Sequence, residues 1–209
     1  TLTQHKTQLT AANRAVLDTL AKRYEIIMAG AGNCERIYKQ MGEYPITILG
    51  NYGMAESRIV DGKFQIVRED KAQVDKKFFE KSCNYLRKKY GYTDFSGESL
   101  EHHESGMVTF GLLGTKAGKE AKLTFDPDKI KRRAMFPEVK EIFKDYSVFI
   151  GGTTSFDITP KQYNKLDAVL RYAAEHGYSF DQILFVGDDF ADGGNDSQIR
   201  LGGMDYIRI

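Results

Sequence analysis

The sequence predicts an α/β protein, a parallel sheet packed between helices and interrupted by an α+β insertion. Three observations point there. Ile183-Leu184-Phe185-Val186 is a short apolar run that reads as a strand buried on both faces, and such strands belong to parallel sheets covered by helices. The first 70 residues alternate helical and strand-like stretches. From about Lys71 the texture changes to a long amphipathic stretch followed by short strand-like pieces.

In chain order, Thr10 reads as the N-cap of a helix through about Tyr24, with Val16, Leu17, Leu20, Ala21 and Tyr24 as its apolar stripe. Glu25 to Ala29 reads as a strand, Gly30-Ala31-Gly32-Asn33 as a turn, and Cys34 to Met41 as a helix. Ile46 to Leu49 is another short strand. Ser57 to Val60 and Lys63 to Val67 flank Asp61-Gly62, a two-residue hairpin signal. Val74 to Tyr90 is spaced as an amphipathic helix. Ser99 to His103 and Met107 to Leu113 read as strands, the Lys-rich segment Lys116 to Lys122 as a solvated loop, and Asp128 to Asp145 as a helix. Tyr146 to Ile150 and Ser155 to Ile158 alternate like a sheet with one wet face. A helix starting near Lys165 has Leu166, Val169, Leu170 and Ala173 on its apolar side.

Composition removes several classes. The 209 residues carry 30 Lys+Arg against 29 Asp+Glu, a net charge of +1, which leaves no footprint for nucleic acid or an anionic membrane. No apolar run approaches the ~18 residues of a membrane span, and no signal-peptide pattern opens the chain. Cys34 and Cys83 are too few for a disulfide framework and lack metal-site spacing. A cytoplasmic protein is the expectation.

The densest chemistry follows Val186. Asp188, Asp189, Asp192 and Asp196 place four carboxylates within nine residues, at what would be the carboxyl end of a strand, where open α/β sheets bind ligands. Oxygen donors without His or Cys suit Mg²⁺ rather than zinc. A solvated loop with Asn195 or Asp196 capping the next helix would look the same. The Gly30–Asn33 turn either holds a phosphate on its backbone N–H groups or simply turns a strand into a helix. His102 and His103 are adjacent on a strand, so they point to opposite faces and cannot chelate one ion. Alone, Lys165 is an ordinary surface lysine.

Two stretches carry a resemblance. Gly187-Asp188, then Gly193-Gly194-Asn195-Asp196, is similar to the last motif of the haloacid-dehalogenase (HAD) superfamily in its phosphomannomutase-like branch. Gly151-Gly152 with Ser155-Phe156-Asp157, Pro160 and Lys165 resembles an earlier motif of the same branch. The resemblance implies a Rossmann-like parallel sheet core, residues 1–70 and 159–209, with an inserted α+β cap domain, residues 71–158. It implies phosphoryl transfer through an aspartyl-phosphate. Lys165 would be catalytic, Asp188, Asp189, Asn195 and Asp196 would serve the Mg²⁺ site, and Gly30, Ala31, Gly32, Asn33, Ser155 and Asp157 would bind substrate.

Departures from the branch set the remaining expectations. Its first strand ends in Asp-x-Asp-Gly-Thr-Leu-Thr, and this sequence starts at Thr1-Leu2-Thr3, so the nucleophile and acid/base are expected upstream of residue 1. Ala31 and Gly32 stand where the family presents a hydroxyl. The cap arginines that grip a second phosphate are replaced by Glu104-Ser105-Gly106-Met107 and by Leu113-Gly114-Thr115. The expectation is therefore a Mg²⁺-dependent phosphatase of a small phosphate ester, a sugar phosphate. The alternatives are a phosphomannomutase-like isomerase and a non-catalytic binding relic.

Overall fold

The computed structural model describes residues 7–209; Thr1-Leu2-Thr3 lies outside them. In chain order the elements are α1 (Ala11–Leu20), β1 (Ile27–Ala29), α2 (Cys34–Gln40), β2 (Thr47–Gly50), β3 (Ala55–Val60), β4 (Lys63–Glu69), α3 (Lys76–Tyr90), β5 (Leu100–His102) and β6 (Val108–Gly111). They continue with α4 (Lys119–Phe125), α5 (Ile130–Ile142), β7 (Tyr146–Gly151), β8 (Ser155–Pro160), α6 (Lys165–His176), β9 (Phe185–Gly187), α7 (Ser197–Leu201) and β10 (Tyr206–Arg208). The described residues form two compact units: those up to Asp70 with Asn164–Phe190 and Gln198–Ile209, and Lys71–Tyr163 with Ala191–Ser197.

In the first unit β1 and β2 pair in parallel, and β3 and β4 extend the sheet antiparallel in the order β1-β2-β3-β4. The β3–β4 hairpin turns at Asp61 (φ 51°) and Gly62 (φ 72°), the left-handed pair that a type I′ turn requires. β2 is the strand buried on both faces. Ile46 and Ile48 pack with Leu17, Cys34, Ile37 and Met41, while Leu49 packs with Ala168 and Tyr172 of α6. The Ile183–Val186 run is not such a strand. β9 begins at Phe185 and, among the described residues, pairs only with β10, in parallel. Leu184, Val186, Ile207 and Ile209, which share one face by register, are 57, 45, 47 and 60 % exposed, because no helix among the described residues covers them.

The first helix departs from expectation. Thr10 caps α1 as expected, its hydroxyl accepting from Asn13 N at 3.2 Å, but the helix stops at Leu20 and only Leu17 of its stripe is buried. Val16, Leu20 and Tyr24 remain exposed.

The second unit is an antiparallel sheet in the order β5-β6-β8-β7. One face carries Val108, Phe110, Val148, Ile150, Phe156 and Ile158 against Phe79, Cys83 and Leu86 of α3 and Met135 and Val139 of α5. The Lys116–Lys122 stretch is not all loop. Lys119 opens α4, whose residues are none of them buried, so its lysines are solvated as expected but on a helix. The helix expected over 128–145 runs only Ile130–Ile142, entered through Lys129 at φ 59°. His102 sits edge-on to Phe79 on the apolar side, and His103 reaches Thr109 on the other. The two rings do point apart.

Candidate active site

Lys165 is the first residue of α6 and is buried. Asn164 fixes that start: its side-chain oxygen accepts from Asp167 N at 3.0 Å and its amide donates to the Asp167 carboxylate at 2.7 Å. The lysine is therefore held by a capped helix terminus, a firmer mount than a loop would give.

The Gly30–Asn33 turn links β1 to α2. The Asn33 side chain accepts from Arg36 N at 2.8 Å, so α2, only seven residues long, is capped by its own chain. Gly30 N donates to Leu49 O (2.9 Å), and the carbonyls of Gly32 and Gly30 accept from Asn51 N (2.8 Å) and Tyr52 N (3.0 Å). Cys34 behind it is buried, and desolvation holds its thiol above the ordinary range, so it acts as a small core residue rather than a nucleophile.

The acidic motif divides. Asp188 and Asp189 follow β9 in the first unit, with Asp188 exposed. Asp192, Asn195 and Asp196 belong to the second, where Gly193 O accepts from Ile150 N at 2.7 Å. Asp196 is buried. Among the described residues no three His, Cys, Asp or Glu side chains gather into a metal-holding group.

Ser155 and Asp157 lie on the polar face of the second unit's sheet, opposite Phe156 and Ile158. The Ser155 hydroxyl donates to Gly151 O at 3.2 Å. Thr109 donates to the Asp157 carboxylate at 3.2 Å, and with its proton so placed it accepts from His103 Nε2 at 3.1 Å. A Cβ on Gly151 would overlap the Asp157 carboxylate. The Gly151–Ser155 turn is braced from below by buried Arg132, which donates to Gly151 O (2.7 Å) and Gly152 O (3.1 Å) and pairs with Asp126 at 2.9 Å.

Sequence reasoning missed a second layer in the first unit. Glu25, beside β1, accepts from Tyr172 OH at 2.5 Å and from Tyr178 OH, and these bonds hold its carboxyl below the ordinary range. Arg68 and Arg171 converge on Gly53 O. Only the left-handed Asn51-Tyr52-Gly53 turn (φ 49°, 57° and 90°) could have flagged that network, and Tyr52 is no turn former.

Comparison with known proteins decides the family. The profile of the eukaryotic phosphomannomutases matches residues 13–202. The chain belongs to that family. It is 26 % identical to the phosphomannomutase of Spinacia oleracea over 212 residues, covering 95 % of this chain and 82 % of that protein. Its fold is HAD-like, an α/β core with a cap. It superposes on an IMP-bound, N-terminally truncated IMP-nucleotidase of Plasmodium falciparum with TM-score 0.67 at 15 % identity, covering the whole of this chain and 62 % of that one. A haloacid-dehalogenase-like hydrolase from B. subtilis gives TM-score 0.59 at 12 % identity, over 96 % of this chain and 83 % of that one. The chain thus spans about three-fifths of the nucleotidase it superposes on. No helix among the described residues is long and apolar enough to cross a membrane.

Proposed function

We propose that this protein transfers a phosphoryl group on a hexose phosphate in the manner of a phosphomannomutase, with Mg²⁺ as its cation. One observation carries the reading. The family match runs through both motifs, and the motif lysine stands buried on a capped helix terminus. Membership in the phosphomannomutase family outweighs, for the main reading, the phosphatase expected from sequence.

Phosphoryl transfer asks the protein for position and charge rather than covalent ingenuity. Lys165 sits at a fixed place, so its ammonium can offset charge on the equatorial phosphoryl oxygens without reorganising. Asp188 and Asp189 supply hard oxygen donors, which suit Mg²⁺; that ion takes one or two carboxylates and fills its shell with water and substrate phosphate. When bound it would neutralise phosphate charge. Asn195 and Asp196 would order the motif loop. The Gly30–Asn33 turn would carry the phosphate on its backbone, and Ser155 and Asp157 would read sugar hydroxyls on the cap sheet, with Thr109 and His103 fixing the carboxylate. No described residue is assigned as nucleophile or acid/base.

A second reading, hydrolysis to inorganic phosphate, is favoured by Glu104-Ser105-Gly106-Met107 and Leu113-Gly114-Thr115, which lack the arginines that the resembled branch carries there for a second phosphate. Lysine or threonine does not replace a bidentate guanidinium. One assay separates the two: mannose 1-phosphate with Mg²⁺ and a hexose bisphosphate primer, following mannose 6-phosphate and inorganic phosphate together. The main reading expects 6-phosphate to dominate. Dominant phosphate release would establish the second reading, and neither product would overturn both.

A further inference from the structure

We infer that the Asn51–Tyr52–Gly53 turn is a strut that sets Lys165 against the carboxyl ends of β1 and β2, with Arg171 as the positioning residue that locks it. The inference rests on the role given to Lys165 above. Three successive residues in the left-handed region are costly: Asn and Gly tolerate it, but Tyr52 at φ 57° does not. A buried side chain held there, at a cost of about 1–3 kcal/mol, persists only where its surroundings over-determine it.

They do so from two sides. Toward the strands, Asn51 N donates to Gly32 O at 2.8 Å and Tyr52 N to Gly30 O at 3.0 Å, while Gly30 N donates to Leu49 O at 2.9 Å. Gly50, which precedes the turn, lies so close that a Cβ would stand 2.9 Å from both Cys34 N and Gly32 O. Toward the helix, Gly53 packs on Ala168, with a Cβ there overlapping the alanine methyl. Arg171 Nη2 donates to Gly53 O, and Arg68 Nη1 reaches the same oxygen at 3.3 Å. Both guanidiniums also hold the Asp70 carboxylate, at 3.4 and 3.0 Å. Arg68 is anchored in turn to buried Glu56 at 3.2 Å.

Helix geometry carries the restraint to the lysine. Lys165, Ala168 and Arg171 are spaced three apart, neighbours on one flank of α6, and Arg171 lies about 9 Å along the axis from Lys165 at 1.5 Å per residue. Fixing Gly53 against Ala168 and Arg171 therefore fixes the height of Lys165 relative to the Gly30–Gly32 backbone. An arginine is needed because one side chain must serve a carbonyl and a carboxylate at once, which a lysine's single ammonium does poorly.

The test compares Arg171→Met and Arg171→Lys with the wild-type protein by three readouts: amide hydrogen exchange, the rate of chemical acylation of Lys165 read by mass spectrometry, and kcat and KM for a hexose phosphate. In Arg171→Met the amides of Gly30, Asn51 and Tyr52 should exchange about tenfold faster or more, with those of β6 and β8 unchanged. Acylation of Lys165 should quicken, and kcat should fall about tenfold with KM held within a factor of about three. Arg171→Lys should restore little of either. Unchanged exchange at 30–52, uniform acceleration across the first unit, or unaltered Lys165 acylation would each overturn the strut. Absence of turnover in the wild-type protein would instead overturn the proposed function, leaving exchange and acylation to decide the strut.

Discussion

Replacing Arg132 by methionine tests the cap unit where stability and site geometry share one side chain. Arg132 is 1 % exposed, and its partner Asp126 is buried as well. The guanidinium donates to the Asp126 carboxylate (2.9 Å) and to the carbonyls of Asp126 (3.1 Å), Gly151 (2.7 Å) and Gly152 (3.1 Å). Its removal takes one donor from each of three carbonyls, of which Asp126 O and Gly151 O keep Lys129 N and the Ser155 hydroxyl, and it leaves the buried Asp126 carboxylate with only the Lys131 and Arg132 amides. Broken buried pairs cost about 3–5 kcal/mol, and partial rehydration of the carbonyls keeps the sum near that range. For a chain of this size each kcal/mol moves Tm by roughly 2–4 °C, so a fall of about 6–20 °C is expected by calorimetry.

The partner supplies the control. Although burial opposes it, the hydrogen bond from Arg132 and those from the Lys131 and Arg132 amides hold the Asp126 carboxyl below its ordinary 3.8. A lowered carboxyl stabilises the fold above its unfolded pKa, and that contribution is lost as pH falls through the folded value. Part of the loss in Arg132→Met comes from the stranded charge, so the double variant Asp126→Asn/Arg132→Met should regain about 1–2 kcal/mol over the single one. A single variant within about 1 kcal/mol of wild type, or strictly additive losses, would refute the reasoning.

Four further outcomes are expected. Lys165→Met should lower kcat about 10²–10³-fold, the scale for losing one preorganised charge-stabilising group, with Tm little changed. Asp188→Asn should weaken Mg²⁺ binding by about tenfold or more in titration calorimetry; unchanged affinity would remove Asp188 from the metal site. Burial and the bond to Glu25 push the Tyr172 phenol up to about 12, so it stabilises the fold below its unfolded value near 10, and this is lost as pH rises from 10 to 12. Urea titrations across that window should show wild type losing more stability than Tyr172→Phe. Gly53→Ala meets both φ 90° and the Ala168 methyl and should cost about 2–4 kcal/mol in chemical denaturation.

What the sequence made legible was local or periodic. Asp61-Gly62 specified its hairpin because only left-handed residues close that turn, and Thr10 specified its cap through a bond three residues away. The alternation Ser155-Phe156-Asp157-Ile158 separated the polar from the apolar face of the cap sheet, and Phe156 and Ile158 are indeed in the core. Burial on both faces was not legible, because it depends on what packs from elsewhere. Ile183–Val186 and Ile46–Leu49 look alike as strings, yet only the second lies between α2 and α6. The braces were hidden for the same reason. Arg171 meets Gly53 across 118 residues, and Arg132 meets Gly151 across 19.

The cap's arginines bear on mutase against phosphatase. Arg132 spends its donors on Asp126 and the Gly151–Gly152 carbonyls. Arg87, also buried, donates to Ser99 Oγ (2.6 Å), Tyr92 O (2.6 Å), Leu112 O (2.9 Å) and Gly111 O. Both are structural braces, with their forks turned inward on backbone, whereas the neighbouring Arg133 is exposed and donates to Asp128 O at 3.3 Å. In the two stretches where the resemblance places cap arginines, Glu104 is exposed with Lys71 Nζ 4.0 Å away, and the Thr115 hydroxyl accepts from Glu98 N at 3.0 Å. One is an acid that would repel a phosphate, and the other closes a turn. A mutase must hold its bisphosphate while the sugar reorients, which calls for a cation at the far phosphate. The polar face of this cap sheet offers instead a carboxylate, a hydroxyl and an imidazole in a row, Asp157, Thr109 and His103. That row is chemistry for hydroxyl groups. On the second reading proposed above, substrate choice would turn on reading the sugar more than on gripping a second phosphate, and dominant 6-phosphate formation in the coupled assay would refute that.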